Sequence, residues 1–420
     1  MVEKPIVVTA TPEPPTACHP DSLTTAQEIV IGALAPLSGR SATSGLSMQA
    51  GIAIAVDKIN SDGGIQGKQI RLVTYDTASD PQTGVERTQQ LITNDCAVGI
   101  VGIYDSDVGI AMKQILHQFT IPAIFVDTYK DEITADQLPE VFRISPTVTM
   151  FSEMASLWTQ EVGDYNHDGQ TFAAIVAEDS PYGQAQTSQT VYWFDQAKIG
   201  HSELFIGLPT TDFSSVIARI VDMPTTPDVI FVRIPGDNGL ELEHQLLQNG
   251  IGPRNSTLLV MGQTALKSGK FWQALGEGGT STVAMRMGPW PSTVTQEGKQ
   301  FVEHYRQFSD QWPGSAAFSG YDAVRLLGNA ISNADSLVGS DLISALEATS
   351  TTLASGTYSF PYTQHNPPND TTPAYYWHQW LDAPILLLQY TEPNQSESDM
   401  AVIWPGTYRT TASAVVTPVP

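Results

Sequence analysis

Short apolar runs alternate with amphipathic helical stretches along most of this chain, and that alternation limits the fold more than any other feature. Glu28–Pro36 is apolar and β-branched, and the loop Leu37–Ser44 follows it. Gly45–Asn60 then carries Met48, Ile52, Val56 and Ile59 at helical spacing, and Asp62, Gly63 and Gly64 stop that helix. Gln69–Tyr75 alternates as a strand. Asp80 and Pro81 supply an N-cap and a first-turn proline for a helix that turns Val85, Thr88, Leu91 and Ile92 inward. Further strands are predicted at Val98–Tyr104, Ala123–Asp127, Thr171–Glu178, Leu204–Leu208, Asp228–Ile234, Thr257–Gly262 and Thr282–Met287. The helices between them are predicted at Asp107–Phe119, Phe151–Val162, Tyr182–Lys198, Phe213–Asp222, Asn238–Asn249 and Ala265–Leu275. Near-continuous apolar strands separated by helices require a parallel sheet covered on both faces. A strand at Phe142–Ile144, ended by Ser145-Pro146, divides the series, so the fold class is α/β with two doubly wound lobes.

After Met287 the pattern changes to helices, predicted at Val294–Ser309, Phe318–Asn333 and Ser340–Thr349. Helices without intervening strands cannot build a third sheet, so they are expected to return to the first lobe. The aromatic, β-rich end, with strands expected at Tyr358–Phe360, Tyr375–Leu381 and Leu386–Tyr390, is expected to rejoin the second. The resulting division is a Thr/Pro-rich linker at 1–27, lobe 1 at 28–143 plus 290–356, lobe 2 at 144–289 plus 357–408, and a flexible tail at 409–420.

Composition narrows the function. The chain has 420 residues, 20 Lys+Arg against 44 Asp+Glu and a formal charge of −24, with 41% hydrophobic residues. That hydrophobic content excludes a disordered chain, and the acidity argues against nucleic acid or an anionic bilayer as partner. Cys18 and Cys96 allow one disulfide or two free thiols. The segment Pro5–Pro15 (PIVVTATPEPP) reads as an extended tether. It suits an extracytoplasmic protein, in the periplasm or at the cell surface, that touches the membrane only through a trimmed N-terminal anchor. An ordinary chain terminus is the plainer reading of the same segment.

No motif for catalysis stands out. The chain lacks GxxxxGK[ST], HExxH, CxxC and a GxSxG elbow, and it has no GxGxxG after a strand. No enzyme activity, catalytic residue, cofactor or resident metal is therefore assigned. The string Asp164–Gly169 (DYNHDG) starts like a calcium loop through Asp164, Asn166 and Asp168, but its twelfth position is Ile175; a plain Asx/Gly turn is the other reading. Polar residues collect instead at the carboxyl ends of strands, where open α/β sheets bind ligands. In the first half these are Ser38–Ser44, then Tyr104, Asp105 and Ser106, then Asp127, Thr128 and Tyr129. In the second half they are Tyr182, Arg233 to Gly236, and Gln263-Thr264. Each such group also stands where a helix needs a cap.

Taken in order, these segments resemble the type I periplasmic solute-binding proteins of the leucine/isoleucine/valine-binding family. IGALAPLSGRSATSG (31–45) is similar to the family's first strand and ligand loop, and GIAIAVDKINSDGGIQGKQIRLVTYDTASDP (51–81) to its signature helix–turn–strand. VGIVGIYDSDV (98–108), IPAIFVDTYKDEIT (121–134), VFRISPT (141–147), EDSPYGQ (178–184), TTDFSSVIARI (210–220) and GYDAVRLLGNAI (320–331) follow in the family's order, over about residues 28–408. The resemblance implies two Rossmann-like lobes joined by three crossings, near Phe142–Thr147, Met287–Pro291 and Gly356–Phe360, which close on a solute like a flytrap. It implies a monomer that delivers its solute to an ABC permease driven by an ATPase.

Site roles follow from the same resemblance. The Ser106 position gives a hydroxyl to a ligand carboxylate, the Asp127–Tyr129 segment gives backbone and hydroxyl groups, and Tyr182 covers the ligand from the second lobe. Three positions depart from the amino-acid binders. Thr264 stands where they carry an acid for the ammonium group, and Ser44 and Pro235 stand at aromatic wall positions. Asp105 or Asp127 is expected to replace the missing acid. The expected cargo is a small polar organic solute, an amino acid or derivative first, with an amide, an aromatic acid held partly by Arg233, or a polyol as alternatives. A sensor or receptor domain of the same fold is the competing functional class.

Overall fold

The computed structural model describes residues 18, 27–234, 236–262, 270–307, 309, 312–413 and 415, with the side chains of Pro181 and Tyr182 outside that description. The predicted linker apart from Cys18 and Gln27, residues 265–269 of the expected Ala265–Leu275 helix, and the sites Pro235 and Thr264 lie outside the described residues.

The first sheet contains β1 (Glu28–Ala35), β2 (Gln69–Asp76), β3 (Gly99–Gly102), β4 (Ala123–Phe125) and β5 (Val141–Arg143). They are ordered β2-β1-β3-β4-β5 and every pairing is parallel. The helices α1 (Ala42–Ser61), α2 (Pro81–Thr93) and α3 (Ser106–Phe119) make the crossovers. Asp80 caps α2 as its sequence suggests, accepting a 2.8 Å bond from the Thr83 N–H, with Pro81 at the first helical position.

The second sheet begins after α4 (Val148–Val162). It contains β6 (Phe172–Glu178), β7 (Gly200–Ile206), β8 (Val229–Arg233), β9 (Leu258–Met261) and β10 (Val283–Met287). The associated helices are α5 (Pro181–Ala197), α6 (Ser214–Val221), α7 (Gly236–Gln248) and the short α8 (Phe271–Leu275). The chain then forms α9 (Gln296–Tyr305), α10 (Ser315–Asn333) and α11 (Gly339–Glu347), which bring Phe301, Tyr321, Leu327 and Leu346 into the first lobe's core. A hairpin of β11 (Ser350–Thr352) and β12 (Thr357–Ser359) follows. Finally β13 (Ile385–Gln389) and β14 (Ala401–Trp404) add to the second sheet, antiparallel, giving the order β14-β13-β10-β9-β8-β6-β7. The architecture is two lobes built on parallel sheets, with the second lobe's sheet closed by antiparallel strands at one edge.

Two details differ from the sequence reading. Tyr375–Leu381 is no strand: it opens with a turn at Ala374–Tyr376, and its next residues pair with β5. The Arg143 N–H donates to the His378 carbonyl at 2.9 Å, and the Trp380 N–H donates to the Arg143 carbonyl at 2.9 Å. The third crossing is therefore not at Gly356–Phe360. Tyr358, Phe360, Trp380 and Ala383 all sit in the first lobe's core, and the chain leaves that lobe only ahead of β13 at Ile385. The three crossings lie side by side: the Gln379 amide donates to the Ser145 carbonyl at 2.8 Å, and the Gly288 N–H donates to the Pro384 carbonyl at 2.7 Å.

Cys18 and Cys96 form a disulfide, with Cα atoms 5.4 Å apart. Among the described residues no helix is long and apolar enough to cross a membrane.

Candidate functional site

The carboxyl ends of both parallel sheets meet at a cavity of about 270 Å³. Tyr104 and Tyr129 line it from the first lobe. Val148 and Phe151 line it from the start of α4, next to the first crossing. Glu178, Gln186, Phe231, Arg233, Ile234, Met261 and Met285 are among the lining residues of the second. The wall is mainly aromatic and aliphatic, with a carboxylate, an amide and a guanidinium set into it. Such a mixture binds an organic molecule by burying an apolar body and orienting a polar head.

Local backbone geometry turns Tyr104 into this space. Gly102 has φ 104° and Ile103 has φ 62°, so the chain leaves β3 through two left-handed residues. For a β-branched residue this conformation costs about 1–3 kcal/mol. Packing of the Ile103 side chain, 1% exposed, and a 2.9 Å bond from its N–H to the Leu34 carbonyl offset that cost.

The neighbouring polar residues serve the loops around the cavity. Asp105 precedes α3 but makes no capping bond; its carboxylate accepts from the Ser41 hydroxyl at 2.8 Å and from Arg40 Nε and Nη2 at 3.4 Å. It thereby pins the loop after β1 against α3. The Ser106 hydroxyl oxygen accepts from the N–H groups of Tyr129 at 3.1 Å and Lys130 at 3.4 Å, joining α3 to the loop after β4. Asp127 is buried and accepts from the Tyr129 hydroxyl at 3.2 Å. The carbonyl of buried Thr128 accepts from Ser145 Oγ at 3.1 Å, which links the site to the first crossing. The Tyr129 ring meets Phe151 edge-on at 5.6 Å.

Of the residues singled out in the sequence, Tyr104, Tyr129, Arg233 and Ile234 line the cavity directly. Ser44 lies near the start of α1, half-buried. Asp105, Ser106, Asp127 and Thr128 are not among the lining residues; they adjoin Tyr104 and Tyr129 in sequence and bond the loops that carry them. Tyr182 occupies the first turn of α5, whose N-cap Ser180 accepts from the Gly183 N–H at 3.1 Å. Arg233 ends β8, donates to Thr190 Oγ1 at 3.2 Å and lies over the Phe231 ring at 5.8 Å.

Sequence reasoning passed over Phe151, Glu178, Gln186, Met261 and Met285. Glu178 was within reach of it: this residue ends β6 and opens the segment EDSPYGQ, so the strand-end rule applied to it as much as to Tyr182. Its carboxylate accepts from the Ser180 hydroxyl at 2.8 Å. Phe151, Met261 and Met285 look like ordinary core residues in any sequence.

The Asp164–Gly169 string turns its carboxylates onto its own backbone. Asp164 accepts from the N–H groups of Asp168 and Gly169, both at 2.9 Å, and Asn166 accepts from Asp168 at 2.9 Å. This is the Asx-turn arrangement. Among the described residues no group of three or more His, Cys, Asp and Glu is placed to hold a metal ion.

The model of the periplasmic binding protein family matches residues 28–378. A Leu/Ile/Val-binding protein homolog from Brucella suis is 30% identical over 197 residues, which is 45% of this chain and 48% of the relative. The chain thus spans about half the length of the first such curated relatives. Among solved structures, the branched-chain amino acid transporter substrate binding protein of Streptococcus pneumoniae, in complex with isoleucine, superposes with a TM-score of 0.68 at 21% identity. That match covers 89% of this chain and 97% of the other. A solute binding protein of an ABC transporter from Rhodopseudomonas palustris, in complex with 3,4-dihydroxybenzoic acid, gives a TM-score of 0.68 at 18% identity and covers 94% and 99%. The order of motifs, the paired parallel sheets and the family match over most of its length agree: this chain belongs to the periplasmic binding protein family.

Proposed function

We propose that the chain is the extracytoplasmic solute-binding component of an ABC importer, catalyses no reaction itself, and captures a small organic acid between its lobes. The observation that carries this reading is the interlobe cavity, which combines aromatic walls from both lobes with Arg233 and Glu178 from one. An apolar body fits between Tyr104, Phe151 and Phe231, a carboxylate fits Arg233, and an ammonium group fits Glu178. Amino acids with apolar side chains meet all three conditions. Aromatic acids, such as the 3,4-dihydroxybenzoic acid in complex with the Rhodopseudomonas palustris protein, meet the first two. A ligand bridging the lobes favours the closed arrangement by its differential affinity alone. A permease and its ATPase would then receive the cargo, and the residues ahead of Cys18 would tether the protein.

The test is a calorimetric titration with leucine, phenylalanine and benzoate, repeated on R233M and E178Q. Loss of a charge-assisted hydrogen bond is expected to weaken binding of any carboxylate to R233M by tenfold or more, since such bonds contribute about 1.5–3 kcal/mol. E178Q should weaken the amino acids and spare benzoate. Failure of every amino acid and every aromatic acid to bind the wild type would overturn the proposed cargo class.

A further inference from the structure

His378 lies in the segment that pairs with β5 immediately ahead of the third crossing, and its side chain is fully buried. Its ring is sandwiched between Phe142, stacked at 4.0 Å and 6°, and Trp377, at 4.4 Å and 28°. The two ring nitrogens face two acceptors. Nδ1 is 3.2 Å from the Val141 carbonyl oxygen, and Nε2 is 2.8 Å from Glu347 Oε1 at the end of α11. That same carboxylate oxygen accepts from the Gln364 N–H at 2.9 Å.

Counting protons gives the consequence. A neutral imidazole has one N–H, so beside an ionised Glu347 one nitrogen must present its lone pair to an oxygen lone pair. The contacts are all satisfied when the pair carries one proton more, giving an imidazolium that donates from both nitrogens. The site also lies where the hinge is fastened. The His378 carbonyl accepts from the Arg143 N–H, and the next residue, Gln379, donates from its amide to the Ser145 carbonyl of the first crossing.

We propose that His378 and Glu347 hold one shared proton which fastens the first-lobe end of the hinge, making the hinge a proton-sensitive element of the molecule. Other groups set the balance. Glu140, ahead of β5, adds negative charge that favours the imidazolium and is itself bonded to His117 of α3 at 3.0 Å. The remaining ring neighbours, Phe142, Phe360 and Trp377, carry no charge. Burial is the largest influence and pulls the imidazole below its ordinary value, against Glu347 and the Val141 carbonyl, which favour the charge. Glu347 in turn is held below the ordinary glutamate value, against its own burial, by its bonds to His378 and Gln364. The two side chains therefore titrate as one unit. Loss of the proton sets a lone pair against an oxygen and loosens the pairing of 378–380 with β5.

Glu347→Gln supplies the discriminating variant. A glutamine amide donates to a neutral Nε2 while Nδ1–H donates to Val141, so both ring contacts are made without the extra proton; the Gln364 N–H loses its acceptor, but that loss does not change with pH. The experiment is nitrogen NMR of the His378 ring together with amide exchange at Arg143 and Trp380, between about pH 4 and about pH 8. The wild-type ring should be protonated on both nitrogens at the acidic end and lose one proton across the range. Exchange at the two amides, measured relative to E347Q at the same pH, should rise by about tenfold or more as it does so. A ring that stays neutral at the acidic end, or a wild-type to E347Q exchange ratio that does not change with pH, overturns the proposal. The ring spectrum needs only the wild-type protein, so the test stands even if the variant folds poorly.

Discussion

At the scale of single residues, one strongly shifted carboxyl stands apart from the residues that line the cavity. Glu243 of α7 is fully buried, and its one hydrogen bond among the described residues is a 2.5 Å donation from Thr282 Oγ1. Burial pushes its carboxyl up to about 8, opposed only by that bond, so it is protonated at neutral pH. The folded state keeps a proton that the unfolded chain gives up near the ordinary glutamate value of about 4.5. Its contribution is fully present below that value and is lost as pH rises toward 8, a decline of roughly 3–5 kcal/mol. Denaturant titrations at mildly acidic and mildly alkaline pH should show this decline in the wild type and a much flatter profile in E243Q. Equal slopes in the two proteins would rule it out. The same scale shows where sequence reasoning about the site stops. The strand-end rule picks out Tyr104, Asp105, Ser106, Asp127 and Tyr129, of which Tyr104 and Tyr129 line the cavity, but it cannot say which polar atoms find partners within the protein. Asp105 is held by Ser41 and Arg40, and Asp127 by Tyr129, through loop contacts that sequence spacing does not encode.

At the scale of elements, the parallel strands were legible because burial on both faces writes a continuous apolar run, and their helices because capping residues mark their starts. The end of the chain was less legible. Tyr375–Leu381 has the aromatic composition of a strand, yet its residues are spent filling the space beside β5 and satisfying buried Arg143. The Arg143 guanidinium takes the Gln379 side chain, the Lys130 carbonyl at 2.6 Å and Thr134 Oγ1 at 2.9 Å. Composition alone does not distinguish a residue that pairs in a sheet from one that packs against its end. The segment GYDAVRLLGNAI shows an element whose key residue is polar. Asp322 of α10 is fully buried and accepts from the Ala354 N–H at 2.8 Å, the Ser355 N–H at 2.9 Å and the Tyr358 hydroxyl at 2.7 Å. Those three bonds fix the β11–β12 hairpin on the helix. In D322N one of the two acceptor oxygens becomes an NH₂ donor facing other donors. A loss of about 2–4 kcal/mol is expected, read as a lower denaturation midpoint, whereas Y358F, which removes one donor, should lose less. A D322N protein as stable as the wild type would show that the hairpin is held by apolar packing alone.

At the scale of the whole molecule, the disulfide and the cavity lie at opposite ends of the first lobe. The cavity is at the carboxyl ends of the strands, whereas Cys96 sits in the turn that leads into the amino end of β3. The bridge spans a sequence separation of 78, and chain-entropy reasoning for a loop of that size gives a stabilisation of about 4 kcal/mol. It encloses β1, α1, β2 and α2, so its effect falls on the first lobe, which has its own core. It also fixes Cys18 on the side of the lobe away from the cleft. Replacing both cysteines by serine should therefore separate two properties that a damaged fold would change together. Thermal stability should fall, in proportion to the loop entropy released, while ligand affinity stays within about twofold of the wild type, because no bridge atom approaches the cavity and the crossings are untouched. If affinity fell along with stability, the bridge would have to bias the hinge as well as the unfolded chain. An unchanged melting temperature would mean that the segment around Cys18 is already held by contacts other than the bridge.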